Sequence, residues 1–139
     1  MNMSDYALSI ITYDRGERWD DNNTKKPYHW SFFLSLDNDK VGRVYQLRGM
    51  PGGFYYDGEE NEDLKKSADI KEILEVGAVP AGKIDRFKEL LDSVKIEKNE
   101  SSKWNCQSWC LEALELLRLE GFISEDYPNN VIQCWLRED

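Results

Sequence analysis

The hydrophobic period changes once along this 139-residue chain, and that change limits the folds open to it. Before Pro80 the apolar residues come in short runs rich in β-branched and aromatic side chains; after it they recur at three and four residues. Short runs bounded by turn residues make strands, and recurrence near 3.6 makes helices that bury one face. Strands first and helices after fold as an α+β domain, an antiparallel sheet from the first half packed against helices from the second. At this length residues 1–139 are most simply one domain, and 40% apolar residues supply a substantial core.

The runs place the elements. Tyr6 to Tyr13 reads as a first strand, Asp14 to Pro27 as a charged loop, and His29 to Leu36 as a second strand closed by Asp37-Asn38-Asp39. Gly42 precedes a third strand, Arg43 to Arg48, which forms a hairpin with the second. Gly49-Met50-Pro51-Gly52-Gly53 breaks the pattern, as a turn or as a lip over a cleft, and Phe54-Tyr55-Tyr56 makes a short fourth strand. Asp57 to Asp69 is acidic and reads as an exposed loop; Ile70 to Val79 reads as a strand that Pro80 ends. Ile84, Phe87, Leu90, Leu91 and Val94 mark an amphipathic helix within Ala81 to Val94, and Lys95 to Lys103 is a charged linker. Cys106, Trp109, Cys110, Ala113, Leu114 and Leu117 share one face of a second helix that ends near Gly121. Val131 to Leu136 reads as a last strand or an extended segment.

Charge and cysteine usage narrow the function. A net charge of −9 is a poor match for nucleic-acid phosphates or an anionic bilayer, so neither nucleic acid nor membrane is expected as a partner. No apolar run approaches the roughly 20 residues of a membrane span, and the first residues lack the pattern of a signal peptide. Three cysteines would leave one over in a closed disulfide framework, which points to free thiols in the cytoplasm. One histidine with a C-x3-C pair lacks zinc-ligand spacing, so no metal and no cofactor are expected. A monomer or small homo-oligomer is the expected state.

Two residues carry the candidate chemistry. His29, the only histidine, opens the second strand, and Cys106 follows Asn105 at the start of the second helix. Asn105 is a favoured N-cap, which puts Cys106 in the first turn, where the helix dipole favours thiolate over thiol. Free N–H groups there can receive an oxyanion, and a neighbouring imidazole can take and return a proton. Each residue also has a plainer reading. Cysteine is among the most often buried types, and a lone histidine on a strand is usually packing. Cys110 and Cys134 both read as core.

His29-Trp30-Ser31-Phe32-Phe33-Leu34, a hairpin to Val44-Tyr45-Gln46-Leu47, and Asn105-Cys106-Gln107-Ser108-Trp109 far downstream resemble the circularly permuted papain-like cysteine hydrolases. These include NlpC-type peptidases, lecithin:retinol acyltransferase-like enzymes and PPPDE-like peptidases. The Asn-Cys-Gln-x-Trp motif is also similar to one in many fungal proteins of comparable size. The resemblance spans His29 to Phe122 and implies Cys106 as nucleophile and His29 as base. It sets Gln46 where acyltransferase-like members carry a second, orienting histidine. Glutamine can orient an imidazole through its carbonyl oxygen but cannot supply a negative charge. Asn105 and Gln107 are candidates for the oxyanion site or its surroundings, although a solvent-facing glutamine is the commoner outcome. Tyr28 and Trp30 are expected to point away from the imidazole face.

The function implied is a thiol hydrolase acting on an amide, isopeptide or similar acyl bond through an acyl-enzyme. Its substrate would be a protein, a peptide or a small acyl compound. The alternative is a catalytically silent papain-like module that binds a protein partner. A lipid acyltransferase ranks below both, for want of a membrane-docking element.

Overall fold

Side-chain alternation explains the sheet. The computed structural model describes residues 5–13, 29–36, 41–49, 52–66, 70–98 and 104–135. Strands β1 (Asp5–Tyr13), β2 (His29–Leu36), β3 (Val41–Arg48), β4 (Tyr55–Asp63) and β5 (Ile70–Pro80) form one antiparallel sheet in the order β4-β3-β2-β1-β5. Helices α1 (Ile84–Asp92), α2 (Cys106–Leu119) and α3 (Asn129–Trp135) complete an α+β fold.

In β2, Trp30, Phe32 and Leu34 point to one side and Phe33 to the other, as a period of two requires. The first side joins Leu8, Ile10, Tyr45 and Leu47 and is covered by Phe87 of α1 and Trp109 of α2. Phe87 meets Tyr45 edge-on at 5.0 Å, and Trp109 stacks on Tyr56 at 5.5 Å. Fully burying a ring such as Phe87 contributes about 2–3 kcal/mol, so this layer dominates the stability. On the far side Ile11, Phe33, Val44 and Leu64 form a second, smaller cluster, with Leu64 supplied by a 3-10 turn after β4.

Helix α2 is delimited at both ends by its sequence. Asn105 Oδ1 accepts from the backbone N–H of Gln107 at 2.9 Å and of Ser108 at 3.3 Å, and the Ser108 hydroxyl accepts from Asn105 N. That reciprocal pair is a capping box. At the other end Gly121 adopts φ +85°, Phe122 N–H reaches Leu117 O, and Gly121 N–H reaches Arg118 O. This left-handed closure is why the helix ends at a glycine. The chain then returns to β5, where Ala78 N–H donates to Phe122 O and Ser124 N–H to Val76 O, covering part of an edge strand.

Three expectations are corrected. Asp57 to Asp63 is strand and not loop, the continuation of β4 paired with β3 through the backbone, and residues 67–69 lie outside the described residues. The acids of β4 lie along the edge of the sheet and several are held by Arg43, Arg48 and Lys88 of neighbouring elements, so no apolar alternation marks it. Val131 to Trp135 is not a strand but part of a short helix, Asn129–Trp135, and Leu136 lies outside the described residues. The helix is secured to α2 by Arg118, which donates to Tyr127 O and Asn129 Oδ1, and by Asn129 Nδ2 donating to Leu111 O. Cys134 is exposed rather than core, whereas Cys110 is buried. The loop at 14–27, Tyr28, the turn at 37–39, Met50 and Pro51, and part of the charged linker lie outside the described residues.

No helix among the described residues is long and apolar enough to cross a membrane.

Candidate functional site

His29 is the first residue of β2 and lies opposite Tyr13 of β1 in register. Gln46 of β3 lies opposite Ser31, two residues along β2, so His29 and Gln46 share one face of the sheet. Their side chains meet: His29 Nε2 is 2.6 Å from Gln46 Oε1. Gln46 is 9% exposed, and its amide nitrogen donates to Glu60 Oε1 of β4 at 3.3 Å. The same carboxylate oxygen accepts from Arg48 Nη2 at 2.7 Å, while Arg48 Nε donates to Asp57.

His29, Gln46, Arg48 and Glu60 line a pocket of roughly 260 Å³ together with Tyr13, Val44 and Glu62. The Tyr13 ring stands 5.8 Å from the imidazole. Burial raises the pKa of its phenol, and the Glu62 and Glu60 carboxylates push the same way, so Tyr13 stays a neutral hydrogen-bonding group at ordinary pH. The pocket therefore combines a phenol, an imidazole, a carboxamide, one guanidinium and two carboxylates with the single aliphatic side chain of Val44.

Cys106 lies in the first turn of α2, but it belongs to the other side of the sheet. It is 1% exposed and packs in the cluster that holds Trp30, Phe32 and Trp109. His29 differs by one residue from Trp30, and its contacts with Tyr13 and Gln46 lie on the face of Phe33 and Val44. The sheet stands between the imidazole and the thiol. Trp30 points away from the imidazole, as expected. The buried Cys110 thiol is pushed well above its ordinary pKa by burial, with a further contribution from nearby Cys106.

Helix capping also changes the oxyanion expectation. The backbone N–H groups of Gln107 and Ser108 donate to Asn105 Oδ1, so the cap takes up donors that an incoming oxyanion would need. Gln107 itself is partly exposed. The structure thus brings His29 and Gln46 together, brings Asn105, Cys106 and Gln107 together, and separates the two groups.

Tyr13, Arg48 and Glu60 were not among the residues singled out from the sequence. Hairpin register could have found the first two, because they flank His29 on adjacent strands. Glu60 sits in the acidic stretch expected to be a loop. Among the described residues, no three His, Cys, Asp or Glu side chains converge in a way that could hold a metal ion.

The family of unknown function DUF6540 matches residues 12–124, and the chain belongs to that family. The match takes in β2, β3, β4, β5, α1 and α2, and with them both His29 and Cys106. No curated protein and no solved structure matches the chain.

Proposed function

We propose that this protein is a binding module that engages a protein or peptide partner through the His29 pocket, and that His29 and Cys106 do not act as a thiol dyad. The observation that supports this most is parity. His29 and Gln46 project from the face that carries Phe33, while Cys106 packs with Trp30 and Phe32 beneath the helices. A base must come within hydrogen-bond reach of the proton it removes, directly or through one water. In this reading the chain keeps the His-before-Cys order of the permuted papain-like hydrolases without their apposition. Its three free cysteines suit a reducing compartment, and we place it in the cytoplasm as a monomer or small homo-oligomer.

A thiol hydrolase is the second reading, and one observation favours it: the imidazole is already oriented by Gln46 at 2.6 Å, as a general base would need. That reading requires the ring to turn around the end of β2 or α2 to shift.

Peptide-resolved iodoacetamide labelling across pH separates the two. As a binding module, the protein should label Cys106 slowly below pH 8, far behind the exposed Cys134, with His29→Ala leaving the Cys106 rate unchanged. Fast Cys106 labelling below pH 8 that His29→Ala abolishes would overturn the proposal in favour of the hydrolase.

A further inference from the structure

We infer that Glu60 is a positioning residue for His29: by fixing which way round the Gln46 carboxamide lies, it fixes which imidazole nitrogen carries the proton. A carboxylate only accepts hydrogen bonds, and Arg48 holds this one with Nη2 at 2.7 Å from Oε1. The Gln46 amide nitrogen lies 3.3 Å from that same oxygen, so the carboxamide turns its NH2 towards β4 and its Oε1 towards β2. That Oε1 is 2.6 Å from His29 Nε2. An amide carbonyl oxygen also only accepts, so Nε2 must be the donor.

The reversed carboxamide would set an oxygen against the Glu60 carboxylate and an NH2 against Nε2. Gln46 is only 9% exposed, so exchanging these partners for water is costly. The relay Arg48–Glu60–Gln46–His29 therefore holds the neutral imidazole as its Nε2–H tautomer, with the lone pair at Nδ1. This holds whether the pocket binds a partner or serves a base. A lone pair can be offered only from Nδ1, and a ligand built to donate to Nε2 is rejected. The role belongs to a residue on β4 that acts through Gln46.

The chain's single histidine makes the test direct, because one pair of ring nitrogen signals reports the tautomer. Long-range 1H–15N correlation spectra near pH 8.5, about two units above the ordinary imidazole pKa, should show Nε2 as the protonated nitrogen in the native protein. Glu60→Ala removes the anchor and should lower the tautomer ratio by about fivefold, the size expected for one net hydrogen bond. Glu60→Lys replaces an acceptor with a donor and should move the ratio further, towards Nδ1–H. The Glu60 side chain is 44% exposed, so both variants should keep native circular dichroism. A native protein that is Nδ1-protonated or evenly mixed would overturn the inference. So would a tautomer ratio unchanged in both folded variants.

Discussion

The carbonyl oxygen of Phe122 occupies the space that a side chain on Gly77 would need: a Cβ built there stands 1.8 Å from that oxygen. This close approach lets the segment after α2 bond to β5 through Ala78 and Val76. Gly77→Ala should force the two backbones apart and lose those bonds. We expect a cost of about 3 kcal/mol, and a midpoint of thermal unfolding lower by roughly 10 °C.

The cap of α2 gives a second prediction. Asn105→Ala removes the acceptor for two N–H groups and half of a reciprocal pair with Ser108. Denaturant unfolding should show a loss of about 1 kcal/mol. Ser108→Ala removes only the return bond and should lose less.

Trp109 is fully buried, yet its indole N–H finds no acceptor among the described residues. An unmatched buried donor offsets part of the ring's burial energy. Trp109→Phe keeps an aromatic ring against Phe32 and Tyr56 and discards the donor, so it should cost under about 1.5 kcal/mol. Trp109→Ala leaves a cavity and should cost about 3–5 kcal/mol. Equal costs for the two variants would contradict this account.

Glu59 gives a pH prediction. Burial alone would raise its carboxyl pKa, but the hydrogen bond from Tyr45 and the charges of Lys88 and Arg43 outweigh it, and the net shift is downward. A carboxyl that ionises at lower pH in the folded chain stabilises the fold above its unfolded value, about 4.3, and loses that contribution as pH falls through the folded value. The stability difference between the native protein and Glu59→Gln should be greatest above about pH 5 and shrink below pH 4. Urea unfolding at a series of pH values measures it.

Strong local signals located most of the frame. β-Branched and aromatic runs marked β1, β2, β3 and β5, three-and-four spacing marked α1 and α2, and Asn105 and Gly121 marked both ends of α2. Phe54-Tyr55-Tyr56 marked only the start of β4; its continuation from Asp57 to Asp63 was missed because its pairing is carried by the backbone and its side chains are acids held by cations on other elements. α3 was missed because seven residues of mixed pattern are fixed by Arg118 and Asn129, contacts across sequence that no local period records. Within the site, Gln46 was singled out by the resemblance, and the register of β2 with β3 is what brings it to His29. Facing was harder to read: β2 is buried on both sides from Ser31 to Ser35, so the sequence of this strand does not show which side the helices cover.

Burial on both sides has an evolutionary consequence. Phe32 and Phe33 are both large and apolar, so either could fill either layer. A single-residue bulge between His29 and Phe32 would leave the core of β2 in place and turn the imidazole towards the helices. Register shifts are already present where β1 meets β5, between Leu8 and Ser9 and between Thr12 and Tyr13. Within this family, then, the imidazole could pass from one side of the sheet to the other by one insertion or deletion, with Cys106, His29 and the surrounding core all retained.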